Sequence, residues 1–140
     1  MRIVSNSVGE TECLGEELAK DLPAGSIVAF TGDLGAGKTA FVRGMARGLN
    51  VDERVTSPTF TIVNEYESVD RPLFHFDLYR LGDADELFDI GWEDYLARGG
   101  ICAVEWSERA PEAMENCVRV DIRRGEHDEQ RVIEIEGWSK

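Results

Sequence analysis

Apolar and polar positions in this chain switch between two periods, and the switches mark out its elements. Arg2-Ile3-Val4 opens as a short strand. Ser7 and Glu10 stand at capping-box spacing, and Leu14, Leu18 and Leu22 fall on one face of the helix they introduce. Pro23-Ala24-Gly25 ends that helix. Ser26-Ile27-Val28-Ala29-Phe30 is an uncharged run of the kind a buried parallel strand needs. Beyond a glycine-rich stretch, Phe41, Val42, Met45, Ala46 and Leu49 recur at helical spacing. That pattern assigns Arg43 and Arg47 to the opposite face, with Gly48 and Asn50 as stop signals.

The second half reads the same way. Residues 52–59 are irregular, and residues 60–67 and 73–79 predict strands joined by a turn around Asp70-Arg71-Pro72. Residues 83–97 are helical by periodicity, with Leu87, Phe88, Trp92, Tyr95 and Leu96 on one side and Gly91 splitting the segment in two. Residues 101–105 predict another buried strand. Residues 118–123 and 132–136 alternate apolar with charged residues, as a hairpin with one wet face should, around a turn at Gly125-Glu126-His127-Asp128. The sum is an α/β fold: a mostly parallel central sheet carrying helices, with antiparallel strands added.

The glycine-rich stretch changes the picture from fold to chemistry. Gly32-Asp33-Leu34-Gly35-Ala36-Gly37-Lys38-Thr39 matches the phosphate-binding template G-x-x-x-x-G-K-[ST] at every position. By chance such a match is expected on the order of half a percent of the time in a chain of this length. Glycines let the loop adopt left-handed dihedrals and turn main-chain N–H groups toward phosphate oxygens. Lys38 would then reach the β- and γ-phosphates, and the Thr39 hydroxyl would ligate Mg²⁺. Strand, loop and helix come in the order that points a helix N-terminus at an anion.

Composition narrows the class. With 140 residues, 42% of them hydrophobic, the chain is expected to form one domain over residues 1–140 with a substantial core. Apolar runs are too short to span a bilayer and nothing resembles a targeting segment, so a cytoplasmic protein is expected. Cys13, Cys102 and Cys117 lack metal-ligand or disulfide spacing, and Cys102 fits a small buried hydrophobe. Against 15 Lys and Arg stand 28 Asp and Glu, a formal charge of −13, which disfavours direct binding along a nucleic-acid backbone. Asp83, Asp85, Glu86, Asp89, Glu93 and Asp94 form an acidic run suited to solubility or to a basic partner.

Hydrolysis needs a carboxylate at the end of a neighbouring strand, and two acids qualify: Asp77 after Leu73-Phe74-His75-Phe76, and Glu105 after Ile101-Cys102-Ala103-Val104. Pattern alone does not divide their roles. Ser57-Pro58-Thr59 lies where nucleotide switches place a γ-phosphate-sensing hydroxyl, although turn chemistry explains it equally. Arg80 and Arg109 are candidates for neutralising transition-state charge, His75 for a hydrogen-bonded core residue, and Trp106 for stacking or packing. The guanine-reading N-K-x-D is absent, so adenine is the default base.

Several segments in order and at matching spacing together carry a resemblance: the phosphate loop, Ser57-Pro58-Thr59-Phe60, Asn64-Glu65-Tyr66, His75-Phe76-Asp77-Leu78-Tyr79-Arg80-Leu81 and Val104-Glu105-Trp106. From Thr11 to the C-terminal hairpin the chain resembles the bacterial TsaE (YjeE-type) ATPases of tRNA threonylcarbamoyladenosine biosynthesis. The resemblance implies a three-layer P-loop fold using ATP and Mg²⁺ and working beside the TsaB and TsaD proteins, which modify the adenosine next to the tRNA anticodon. Contact with tRNA would then be indirect and with membrane absent. It also implies that Lys38 and the loop from Asp33 through Leu34, Gly35, Ala36 and Gly37 hold phosphates, and that Thr39 and Glu105 ligate Mg²⁺. Asp77, with Lys38, would serve hydrolysis, Thr11 and Trp106 would lie near the nucleotide, and Arg131 would lie on the adenine side. Two other readings stay open on the residues: a small-molecule kinase, for which the chain has little room, and a nucleotide-gated adaptor in which hydrolysis is incidental.

Overall fold

Local signals set the first elements. The computed structural model, which describes residues 1–33, 37–56, 58 and 61–138, begins with strand β1 (Arg2–Ser5) and helix α1 (Val8–Asp21). Ser7 caps α1: its Oγ accepts the Glu10 N–H at 3.1 Å, while the Glu10 carboxylate accepts the Asn6 N–H at 2.8 Å. Strand β2 (Ile27–Gly32) leads through the glycine-rich loop to helix α2 (Lys38–Gly48). Strands β3 (Val63–Tyr66) and β4 (Leu73–Asp77), helices α3 (Ala84–Asp89) and α4 (Trp92–Ala97), and strand β5 (Ile101–Glu105) follow. Two 3-10 turns, Ser107–Arg109 and Pro111–Ala113, precede the pair β6 (Val118–Arg124) and β7 (Arg131–Glu136).

All seven strands join one sheet in the order β1-β7-β6-β2-β5-β4-β3. The four in the middle, β6, β2, β5 and β4, run parallel, and β1, β7 and β3 are antiparallel additions. Strand alternation divides the core. Val28, Phe30, Leu73, Ile101 and Ala103 face α1 and α2, packing against Leu14, Leu18, Phe41, Val42, Met45 and Leu49. Ile27, Ala29, Phe74, Phe76, Cys102 and Val104 face the other way, against Leu87 and Trp92 of α3 and α4. Helix, sheet, helix is the expected three-layer arrangement. Buried Cys102, its thiol pushed up to about 12 by desolvation, behaves as the small hydrophobe its setting suggested.

Two strand boundaries and one side chain differ from the pattern. β4 stops at Asp77 rather than continuing to residue 79, because the Asp77 carboxylate turns back to accept the Tyr79 N–H at 3.0 Å. β3 starts at Val63, while Phe60, where the strand was expected to begin, lies outside the described residues. Phe88 points outward, 38% exposed, although periodicity placed it with the core residues. Gly91 does break the helical segment, with φ 96° at the start of α4. Two acids of the 83–94 run have local tasks: Asp83 caps α3 through the Glu86 N–H, and Glu86 accepts from the Gly82 N–H.

Gly32 shows why the loop leaves the sheet where it does. Its φ is 117°, and a Cβ there would fall on the carbonyl of Ile122, its register partner on β6. Gly32→Ala is therefore expected to cost about 2–6 kcal/mol from strained dihedrals and overpacking together. A urea midpoint equal to that of the parent chain would contradict this.

Candidate functional site

The parallel sheet delivers three polar side chains to the C-terminal edge of β4 and β5, on the face that carries α2. Alternation puts His75 and Asp77 on the same side as Leu73, and Glu105 on the same side as Ile101 and Ala103. The register sets Asp77 directly opposite Glu105, and His75 opposite Ala103. His75 and Glu105 are thus diagonal neighbours, and His75 Nε2 lies 2.5 Å from Glu105 Oε2. His75 is fully buried and hydrogen-bonded, as expected of a core histidine, but its partner is a candidate cation ligand.

Across from these acids stands the start of α2. Gly37 takes φ 99° as the N-terminal cap residue and offers no side-chain cap, so among the described residues no side chain caps the first amides of the helix, which point toward an anion site. Lys38 is nearly buried, with Nζ 3.5 Å from the Gly32 carbonyl and 5.5 Å from the centre of the Trp106 ring. Trp106 follows Glu105 at φ 57°, a conformation that costs a bulky residue about 1–3 kcal/mol and recurs at functional sites. Its ring rests on Tyr79, centroids 4.9 Å apart, and Arg109 lies over the other ring of that pair at 5.6 Å.

Gly37, Lys38, Thr39, Ala40, Arg43, Glu105, Trp106 and Val8 enclose a cavity of about 280 Å³. A larger groove of about 750 Å³ runs between β1 and α1, but no Lys or Arg is among its described lining residues. Chemistry rather than size selects the smaller one for an anion.

The remaining expected residues lie at varied distances from this cavity. Leu34, Gly35 and Ala36 fall outside the described residues, as do Ser57, Thr59 and Phe60. The Asp33 N–H donates to Ile122 O at 3.1 Å, and its carboxylate accepts the Arg124 N–H at 3.1 Å, so β6 holds the start of the loop. Thr11 is buried on α1 with its hydroxyl engaged by Ser5 Oγ at 2.7 Å and by the Ser7 carbonyl. Arg131 passes beside Gly37: a Cβ on Gly37 would stand 3.5 Å from Arg131 Nε. Its guanidinium also donates to the carbonyls of Asp128 and Gln130. Arg80 is exposed.

Two lining residues were not singled out for the site. Arg43 is exposed on the face of α2 opposite its apolar residues, as periodicity assigned it, and four residues after Thr39 that exposed face also lines the cavity. Val8, the first residue of α1, closes another side. The Asn64-Glu65-Tyr66 segment also gains a purpose. Asn64 Nδ2 and the Tyr66 hydroxyl both donate to the Thr56 carbonyl, and the Thr56 N–H donates to the Tyr66 hydroxyl. Glu65 accepts from Tyr95 and pairs with Arg98 at 2.9 Å. These bonds anchor one end of the irregular stretch on β3 and α4.

Asp77 holds its proton more tightly than an ordinary aspartate. Partial burial is the main cause and Glu105 adds to it, against the Tyr79 N–H, His75 and Lys38. The native state therefore binds that proton better than the unfolded chain. Stability falls as pH rises from the ordinary aspartate value, about 3.9, through the raised folded value, and the penalty is complete above it. Without nucleotide or metal, Asp77→Asn is expected to melt higher than the parent at neutral pH, the gap closing towards pH 3. A lower melting temperature at neutral pH would contradict it.

The donor set suits a divalent cation. The Thr39 hydroxyl and the Glu105 carboxylate, one oxygen of which contacts His75, are hard oxygen donors on residues lining one cavity. Among the described residues no group of three or more His, Cys, Asp or Glu could hold a metal unaided. One carboxylate and one hydroxyl, completed by phosphate oxygens and water, is how Mg²⁺ sits at nucleotide sites.

Comparison with known proteins identifies the family and agrees with the fold. The family model described as "Threonylcarbamoyl adenosine biosynthesis protein TsaE" matches residues 5–133. A tRNA threonylcarbamoyladenosine biosynthesis protein TsaE from Treponema pallidum is 42% identical over 124 residues, covering 88% of this chain and 91% of that protein. One of the same name from Bacillus subtilis is 38% identical over 124 residues, covering 88% and 77%. The crystal structure of YdiB from Bacillus subtilis superposes with a TM-score of 0.79 at 31% identity, covering 96% of this chain and 84% of that one. The phosphate-loop fold, the paired strand-end acids and these likenesses lead to one conclusion: the chain belongs to the TsaE family of threonylcarbamoyladenosine biosynthesis proteins.

Proposed function

We propose that this protein binds ATP with Mg²⁺ in the cavity between α2 and the ends of β4 and β5, hydrolyses it, and so supports threonylcarbamoyl modification of the adenosine next to the tRNA anticodon. It acts there with TsaB and TsaD, which carry out the transfer and handle the tRNA. One observation carries the reading: an uncapped helix N-terminus with nearly buried Lys38, beside Thr39 and facing Glu105 across one cavity. Family membership supplies the pathway.

In this reading the α2 amides and Lys38 grip the β- and γ-phosphates. Thr39 and Glu105 are the protein ligands of the cation, which supplies charge neutralisation at the phosphates. Asp77, with its raised proton affinity and its orientation fixed by the Tyr79 N–H, positions the attacking water. Arg131, beside Gly37, and Val8, which lines the cavity, would flank the nucleoside end of the ligand. Trp106 shields the Lys38 ammonium from water on one side.

The test is ATP turnover measured for the isolated chain and again with TsaB, TsaD and tRNA. Turnover is expected to be slow alone and faster with the full set. Equal rates would remove the partners from the account, and no turnover in either would remove hydrolysis.

A further inference from the structure

His75 occupies a place where an apolar side chain would be the simpler choice. It lies inside β4, is fully buried, and its backbone neighbours Phe74 and Phe76 belong to the core on the other face. Its Nδ1 is the buried side-chain atom that lacks a hydrogen-bond partner among the described residues. A buried unpaired ring nitrogen destabilises a fold, and leucine at this position would avoid the penalty. Among the described residues the ring makes one polar contact in exchange, the 2.5 Å bond between Nε2 and Glu105 Oε2.

That contact has a geometric consequence. The carboxylate of Glu105 ends a short strand and has two oxygens that could rotate about the side-chain axis. Fixing Oε2 from below, through the diagonal His75, leaves Oε1 as the oxygen available to the cavity shared with Thr39. Asp77, opposite Glu105 in register, is a like charge that would otherwise push the carboxylate aside. Carboxylates that bind cations are commonly oriented by hydrogen bonds of this sort, and losing such a partner typically costs about 10–100-fold in metal affinity or activity.

We propose that His75 is a positioning residue for the nucleotide-bound cation, its Nε2–H holding Oε2 of Glu105 so that Oε1 faces the site. The inference rests on the reading of Glu105 as a cation ligand. It assigns the buried imidazole to the metal half of the site and leaves the phosphate grip of Lys38 and the α2 amides independent of it.

The experiment compares the parent chain with H75L and H75Q, using Mn²⁺ electron paramagnetic resonance with a β,γ-imido analogue of ATP, and calorimetric binding of the same analogue in EDTA. H75L removes the donor, whereas the amide of H75Q can restore one near the place of Nε2. H75L should weaken Mn²⁺ about 10–100-fold while metal-free analogue binding stays within about twofold, and H75Q should recover most of the loss. Parent-like Mn²⁺ affinity in folded H75L would overturn the proposal, and so would an equal loss in EDTA or a folded H75Q no better than H75L. A parent chain that binds no analogue under any condition sinks the nucleotide-site reading itself, which separates the two failures. Nitrogen-15 histidine spectra of the unmodified protein give a check free of any folding defect. A protonated Nε2 whose resonance moves when Mg²⁺ joins the bound analogue supports the proposal. An unprotonated Nε2, or one indifferent to the cation, overturns it.

Discussion

Asp77→Asn is expected to lower ATP turnover by about 10²–10⁴-fold, the range a positioned acid–base group contributes, while leaving nucleotide binding near that of the parent chain. The asparagine keeps the shape of the side chain and an oxygen for the Tyr79 N–H, so the end of β4 should hold. What it loses is the negative charge proposed to orient the attacking water. The same substitution removes a carboxylate that burial and Glu105 disfavour, so activity and stability should move in opposite directions. Single-turnover phosphate release and thermal melting on one preparation check both. If tRNA modification with TsaB and TsaD persists while hydrolysis is lost, the chain is a nucleotide-gated adaptor. If binding falls as far as turnover does, Asp77 belongs to the binding site instead.

Lys38→Ala is expected to weaken ATP by roughly 1.5–3 kcal/mol, about 10–150-fold in Kd, because a charge-assisted contact to phosphate is lost in a shielded place. The ammonium already points into the loop: its Nζ lies near the Gly32 carbonyl and under the Trp106 ring, and the side chain is almost wholly covered. Little reorganisation is then needed when a phosphate arrives. Adenosine, which has no phosphate, should bind parent and variant alike. Titration of both ligands against both proteins reads the difference, and equal losses for adenosine and ATP would place Lys38 in a structural role.

The sequence-level reading did best where a local signal and a tertiary need coincide. Ser7 and Glu10 announce α1 because the cap is a contact between neighbours in sequence, and Gly91 announces the break between α3 and α4 because its backbone needs φ 96°. Leu14, Leu18, Phe41, Met45 and Leu49 are buried because helical periodicity and the face of a sheet are the same constraint. The hairpin of β6 and β7 was legible for the same reason, through alternation. Its place was not: β6 lies parallel to β2 in the middle of the sheet, its register partners 90 residues away in sequence, as the bond from Thr31 to Asp121 illustrates.

The site divides along the same line. The template from Gly32 to Thr39 is contiguous, so its chemistry could be read directly, and Asp77 and Glu105 stood out as acids ending apolar runs. Their register as direct partners depends on the pairing of β4 with β5, which no spacing reveals. His75 looked like an ordinary core histidine until that pairing set it diagonal to Glu105. Arg43 is exposed opposite the apolar face of α2, as periodicity assigned it; that it also lines the cavity follows from its standing four residues after Thr39. Asn64 and Tyr66 offered no local sign that they would hold the Thr56 carbonyl.

The central claim, that Lys38, Thr39 and Glu105 form a site for a Mg²⁺-bound nucleoside triphosphate, is tested most directly by calorimetry of the folded chain with MgATP. The account predicts saturable heat release with one ligand per chain, weakened when Lys38 is alanine and needing more of the cation when Glu105 is alanine. Absence of any heat at millimolar MgATP, with the chain shown to be folded, would contradict it.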